Sequence, residues 1–280
     1  DIRDTVALDK IFNTFKPETV IHFAGLKAVG QSVAEPLIYY DVNVGGSVSL
    51  LMAMSKAGCN SIVFSSSATV YGEPHYLPYD EEHPTNPVSP YGRTKLIIEN
   101  IINEWTKVDK ERKGTILRYF NPVGAHESGQ IGEEPIGIPN NLMPYIAQVA
   151  VGRRECLNIF GNDYETTDGT GARDYIHVVD LALAHVSALN QDKINNFEIF
   201  NIGGGEGTTV FELLKIFEET CGVTIKFKYL PRREGDLAAF WADSSKAFEK
   251  MSWQPQRNIN NICEDTWRWH ELNPIGYGIE

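Results

Sequence analysis

Cysteine is scarce in this sequence: four residues in 280, at Cys59, Cys156, Cys221 and Cys263. They are widely scattered and form no C-x-x-C pair, so neither a disulfide scaffold nor a zinc ribbon is indicated. They read as reduced, mostly buried thiols of a cytoplasmic protein. The seven histidines show no H-x-x-x-H or H-E-x-x-H spacing, and no metal is assigned. No apolar run is expected to approach the roughly 20 residues that span a bilayer. The opening Asp1-Ile2-Arg3-Asp4 is polar and unlike a signal peptide. Positive charge is in deficit, with 25 Lys and Arg against 37 Asp and Glu for a net −12. That balance disfavours nonspecific binding to nucleic acid, but a few arginines inside a cleft can still hold an anionic small ligand. Internal repeats and low-complexity tracts are also missing.

What is present is an alternation of strand and helix patterns. Residues 19–25, 61–66, 115–120 and 197–203 are short β-branched or apolar runs, read as buried parallel strands. Between them lie helical patterns, one from about Asp41 to Ala57 with Leu50, Leu51 and Met54 at helical spacing. Another, Ser89 to Lys107, carries Leu96, Ile97, Ile101 and Trp105. This order predicts βαβ units and an α/β fold with a doubly wound parallel sheet of Rossmann type. After Asn121 the texture changes to Gly/Pro-rich loops and a smaller α+β region. The expected division is a dinucleotide-binding unit over 1–122, completed by a return segment at about 175–203, and a substrate unit over 123–280.

The strongest local signal is Ser89-Pro90-Tyr91-Gly92-Arg93-Thr94-Lys95. Ser89 suits a helix N-cap and Pro90 the first helical position. Tyr91 and Lys95, at i and i+4, then share a face. A phenol titrates near 10 unperturbed, and a neighbouring ammonium favours its phenolate, so the pair is expected to form a base near neutral pH. About two dozen residues upstream, the strand over 62–64 ends in Ser65-Ser66-Ser67, where open α/β sheets bind ligands. Gly203-Gly204-Gly205-Glu206-Gly207-Thr208 departs from G-x-G-x-x-G at Thr208 and reads as a strand–turn–helix joint, with Thr209 and Glu212 as a capping box. His22, inside a strand, reads as a satisfied core histidine. Arg173 beside Asp174 reads equally as a surface ion pair or a functional arginine.

The stretches Phe23 to Gly30, Phe64 to Gly72, Arg118 to His126 and Gly169 to His177, with Pro139-Asn140-Asn141-Leu142 and Arg233-Glu234-Gly235-Asp236, run in order along the chain. Together they resemble the successive motifs of the UDP-glucose 4-epimerases, a family of extended short-chain dehydrogenases/reductases. The resemblance implies NAD as cofactor, a UDP-hexose substrate and a homodimer. It makes Tyr91 the general base, Lys95 its electrostatic partner and a ribose ligand, and Ser67 a hydroxyl that orients the sugar. It places Phe23, Ala24, Gly25, Leu26, Lys27, Ser65, Tyr119 and Phe120 against NAD, and Asp1 and Ile2 next to its adenine. Asn121, Asn141, Leu142, Phe160, Arg173, Arg233 and Asp236 would line the UDP-sugar cleft, with Phe240 gating the sugar pocket. The dimer is expected to use the helix after Tyr91, through an apolar face of Ile98, Ile102 and Trp105.

One departure bears on these expectations. The family opens with a strand and a glycine-rich turn that holds the NAD pyrophosphate, and no such motif precedes the first strand here. The first three strands of the family are expected to be absent, leaving residues 19–25 as an apolar sheet edge. Two other readings follow: a sugar-nucleotide 4,6-dehydratase of the same fold, or an inactive fragment without bound NAD. The dehydratase needs a carboxylate pair after the strand-end serine, where this sequence has Ala68 and Thr69.

Overall fold

In the computed structural model, residues 1–139, 141–190, 195–233 and 236–278 are described. Asn140, Glu234 and Gly235 of the motifs quoted above lie outside them. In chain order the first part comprises α1 (Thr5–Phe15), β1 (Thr19–His22), α2 (Val29–Ala34), α3 (Pro36–Tyr39), a π-turn over Tyr40–Gly45, α4 (Gly46–Ala57), β2 (Ser61–Ser65), α5 (Pro90–Lys107) and β3 (Lys113–Tyr119). Next come β4 (Asn121–Val123), α6 (Leu142–Ala150), β5 (Leu157–Phe160), β6 (Ala172–Arg173), β7 (Tyr175–His177) and α7 (Val178–Ser187). The last part holds β8 (Phe197–Ile202), β9 (Thr208–Thr209), α8 (Val210–Cys221), β10 (Phe227–Leu230), β11 (Ala239–Phe240), α9 (Ser245–Met251) and α10 (Ile259–Leu272).

The principal sheet has the order β1-β2-β3-β8 and every pairing in it is parallel. Its two faces carry separate cores, as a parallel sheet covered on both sides requires. One contains Leu50, Met54, Ile62, Phe64, Ile98, Ile102 and Ile116. The other holds Val63, Leu117, Phe200 and Ile202 against Ala184, Ala247 and Trp253. Helix α5 lies so close to β3 that a Cβ at Gly114 would come 2.6 Å from Ile102 Cγ2. Ile98, Ile102 and Trp105 are all buried in this intrachain core. They cannot form the dimer face expected of them, because their side chains fill the gap between helix and sheet.

Two local expectations also change. The first strand ends at His22, and Phe23, Ala24 and Gly25 leave the sheet as a loop. The helix expected from about Asp41 starts at Pro36 and runs through the π-turn to Ala57. At 22 residues it is long and apolar enough to cross a membrane by length and composition, contrary to the sequence reading. It packs on α1 and α5, however, and turns polar Asn43 and Ser47 into the interior.

The second part of the chain gathers small sheets, β10–β5, β11-β6-β9 and β4–β7. Helices α6, α8 and α10 enclose a core containing Ile146, Leu157, Ile159, Leu213, Phe217 and Ile262. Residues Phe120 to Val123 join this part to β3, so the end of that strand faces both regions.

Candidate active site

Helix α5 begins as its sequence dictates. Ser89 Oγ accepts from Gly92 N at 3.1 Å, and Pro90 occupies the first turn. Tyr91 and Lys95 therefore stand one above the other on the face toward β2, and both are buried. Lys95 Nζ donates to Ser65 O at 2.7 Å, lies 4.7 Å from the Phe64 ring centroid, and is 5.8 Å from that of Tyr91. Burial holds this ammonium down at about 8, against the opposing charge of Glu99. The phenol behaves differently from the sequence expectation. Burial pushes Tyr91 well above its ordinary value, and neighbouring Tyr119 adds to the rise, while a hydrogen bond with Ser67 opposes it. The Lys95 ammonium, 5.8 Å from the ring centroid, does not offset that burial.

Ser67 follows β2 as the cap of a single 3₁₀ turn, its Oγ accepting from Thr69 N and Thr69 Oγ1. Ser65 faces the other way: its Oγ lies 2.7 Å from His185 Nε2, and it hydrogen-bonds Tyr119. Since His185 Nδ1 donates to Leu181 O, Nε2 is the acceptor for Ser65. His22 is the core histidine expected: it bonds Ser47 Oγ at 2.8 Å and burial lowers it to about 4.

A cleft of about 350 Å³ runs from these groups into the second region. On its catalytic side it is lined by Lys27, Ser67, Tyr91, Tyr119, Phe120 and Asn121. On the far side are Asn141, Leu142, Phe160, Arg173, Arg233 and Asp236. Asn141 caps α6 without using its side chain, which leaves the amide free. Asn121 Nδ2 donates to Asp174 O at 2.8 Å, so its carbonyl oxygen remains open to a ligand. Arg233 Nε bonds Asp236 at 3.0 Å and its guanidinium covers the Phe160 ring at 4.4 Å. Arg173 Nη2 lies 3.8 Å from Asp236 and its guanidinium covers the Phe240 ring at 4.8 Å.

Phe240, Asp1 and Ile2 are among the expected site residues that do not line this cleft. Phe240 sits behind the cleft wall, against Phe120 and Arg173. Asp1 pairs with Arg3, which reaches Asp41, and Ile2 packs where a Cβ on Gly46 would be. Arg173 and Asp174 do not pair with each other. The Asp174 carboxylate is fully buried and accepts from Gly204 N, Gly205 N and Ala242 N. A Cβ at Gly203 would stand 2.4 Å from its Oδ2. The glycine-rich turn thus cradles an internal carboxylate, which leaves it no room for a phosphate. Sequence reasoning missed Asn43, Asn158 and Tyr164. Asn43 bonds both N and O of Leu26 and reaches Thr94 on α5, so it braces the loop after β1. Asn158 and Tyr164 line the cleft; the alternation of Asn158 with Phe160 along β5 was the available signal.

The residues present fit the nicotinamide-ribose end of a dinucleotide. Lys95 has three donors and Ser65 O takes one, leaving donors for ribose hydroxyls. The loop Phe23 to Leu26, held by Asn43 and with Phe23 exposed, offers an open backbone wall next to it. No G-x-G-x-x-G sequence occurs in the chain to hold a pyrophosphate.

The sequence model of a family described as GDP-mannose 4,6 dehydratase matches residues 1–266. UDP-glucose 4-epimerase of Homo sapiens is 52% identical over 282 residues, covering 100% of this chain and 81% of the relative. UDP-glucose 4-epimerase GEPI48 of Cyamopsis tetragonoloba is 53% identical, covering 99% of this chain and 80% of the relative. The crystal structure of UDP-glucose 4-epimerase from Bifidobacterium longum in complex with NAD+ and UDP superposes with a TM-score of 0.95 at 46% identity. It covers 99% of this chain and 83% of that one. A 4,6-dehydratase would need carboxylates at positions 68 and 69, where the 3₁₀ turn carries Ala68 and Thr69. With Tyr91 and Ser67 lining one cleft, Lys95 one helical turn from Tyr91, and these relatives matching nearly its whole length, the chain belongs to the UDP-glucose 4-epimerase family of extended short-chain dehydrogenases/reductases.

Proposed function

We propose that this protein interconverts UDP-glucose and UDP-galactose by inverting C4 of the sugar, with no net redox. The observation that carries the reading is one cleft with buried Tyr91 and Ser67 at one end and Arg173, Arg233 and Asp236 at the other, with Lys95 buried one helical turn from Tyr91. Bound NAD supplies a reversible hydride acceptor and a positive charge in the cleft. Lys95 would hold its ribose, with Tyr119, Phe120 and the loop Phe23 to Lys27 around the nicotinamide. Ser65 would support it through Tyr119, and Asp1 and Ile2 would lie toward the adenine.

The protein's own part is proton transfer and anchoring. Ser67 orients the sugar hydroxyl, and Tyr91 takes the proton from the 4-hydroxyl oxygen onto its phenolate. It keeps that proton while the sugar presents its other face, then returns it. Burial raises the phenol, so the phenolate that accepts the proton forms only when a cation in the cleft lowers the phenol again. Two guanidiniums suit a diphosphate through paired donors. Phe160 offers a ring face to the uracil, and Asp236 accepts from a ribose hydroxyl. Asn121, Asn141 and Leu142 hold the sugar-phosphate between these ends. Phe240, behind the cleft wall, would act on the sugar pocket through Phe120 and Arg173, which it backs, and so limit the room for a 2-N-acetyl group.

The unit around the four-stranded sheet is read as the cofactor half and the remainder as the substrate half, in a cytoplasmic enzyme without nucleic-acid or membrane partners. A homodimer fits the exposed apolar residues Leu37, Val48 and Met52 on the Pro36–Ala57 helix. The test is incubation of NAD-loaded protein with UDP-galactose. Formation of UDP-glucose without accumulation of reduced cofactor is expected; a 4-keto-6-deoxy product, or no turnover with NAD bound, would overturn the reading.

A further inference from the structure

The three segments that carry the chemistry meet at a fourth residue that has no role in the reading above. Glu99 lies on α5 one turn beyond Lys95, and it is buried. Its carboxylate accepts from Arg118 Nε at 3.0 Å and Arg118 Nη2 at 2.6 Å, and from Ser66 Oγ at 2.5 Å. Arg118 precedes Tyr119 at the end of β3 and is buried too, its guanidinium 4.8 Å from the Tyr71 ring centroid. Ser66 sits between Ser65, whose carbonyl holds Lys95, and Ser67, which bonds Tyr91. One carboxylate therefore ties the catalytic helix to the ends of both central strands.

We propose that Glu99 is a positioning residue for the reaction: shared between Arg118 and Ser66, its carboxylate locks Ser65 and Ser67 in register with Tyr91 and Lys95 and stands one turn behind the Lys95 ammonium. This rests on the epimerase reading above. A buried carboxylate next to Lys95 favours the cation that burial disfavours. The other titratable groups around that ammonium are Tyr91 on the same helix, His22 on β1, and Tyr119 and Arg118 at the end of β3, the last neutralised by Glu99 itself. A purely architectural pair would serve as well with its charges removed; a positioning pair would not.

The test uses the NAD-loaded enzyme, after the unmodified protein has been shown to epimerise UDP-galactose; failure at that first step concerns the epimerase reading and not Glu99. The double variant Glu99→Gln with Arg118→Gln keeps a neutral hydrogen-bonded pair and leaves no unpaired buried charge. We expect kcat to fall roughly tenfold to a hundredfold, as for displaced reacting groups, with KM for the UDP-sugar within about twofold. NMR titration of labelled lysine, which needs no turnover, should show Lys95 losing its proton at a measurably lower pH, a smaller shift than loss of Glu99 alone would give because the Arg118 charge goes with it. Ser66→Ala, which leaves the Arg118 pair intact, should lower kcat by roughly threefold to tenfold without moving the Lys95 titration. A folded double variant with unchanged kcat and unchanged Lys95 titration would overturn the proposal. If the double variant does not fold, an unaltered kcat in Ser66→Ala would overturn it and a lowered kcat at constant KM would support it.

Discussion

The two walls of the cleft are built on opposite principles. The catalytic wall is buried: Tyr91 and Lys95 are 7% and 5% exposed, and they bond Ser67 and the Ser65 carbonyl. The far wall is half open. The Arg233 side chain is 56% exposed and that of Arg173 18%, and both lean on Asp236 and on aromatic faces. Burial makes titration and geometry sensitive to single atoms, because a buried donor or charge has no water to fall back on. Exposure leaves room for a charged ligand to enter and leave. The first wall suits chemistry and the second suits holding on.

Four changes would break or sharpen that contrast, taken from the largest effect down. Tyr91→Phe should abolish epimerisation, by roughly 10²–10⁴-fold or more for a lost general base, while UDP affinity stays within about twofold. Steady-state rates and UDP titration measure both; near-normal turnover would remove Tyr91 from its role. Acid should weaken the buried interior next. His22 and His270 are both lowered by burial to about 4, against 6.5 for the unfolded chain. Depressed histidines contribute stability that is present above pH 6.5 and lost as pH falls toward 4, up to about 3 kcal/mol each. The urea midpoint should drop across that window, and His22→Gln should make the drop shallower; a midpoint independent of pH from 6.5 to 4 would contradict this.

On the open wall the expected effects are smaller and fall on binding. Arg173→Ala should raise KM for the UDP-sugar by roughly tenfold to a hundredfold, as for a lost charge-assisted pair, with kcat changed less than threefold. An equal loss in kcat would mean that Arg173 acts in the chemical step. Phe240 is the mildest case. The unmodified enzyme should prefer UDP-glucose and UDP-galactose to their N-acetylated counterparts by about tenfold, since overfilling a packed pocket costs about 1–3 kcal/mol. Phe240→Cys should narrow that gap. Comparable rates for both sugar classes at the outset would show that a ring packed on Phe120 and Arg173 does not reach the pocket.

Much of the catalytic wall was readable in advance because its signals are local. Ser89, Pro90, Tyr91 and Lys95 follow from one cap and one helical repeat, and β2 ends in serines by its own pattern. The capping box at Thr209 and Glu212 is local in the same sense. The far wall was assigned only through resemblance, since Asn141, Phe160, Arg173 and Arg233 come from four separate segments with no shared spacing.

By itself the sequence determined the alternation of strands and helices, the parallel sheet, the placing of Tyr91 over Lys95 and the absence of a dinucleotide fingerprint at the glycine run. The tertiary structure alone decided the partners. It paired Asp174 with the glycine turn 30 residues away, Glu99 with Arg118 and Ser66, and Asn43 with Leu26 and Thr94. It also turned Ile98, Ile102 and Trp105 inward and, through burial, pushed the Tyr91 phenol upward. Local pattern sets which face of an element is apolar. Which distant group meets a buried charge, and whether desolvation or a neighbouring ion wins there, depends on how the elements pack.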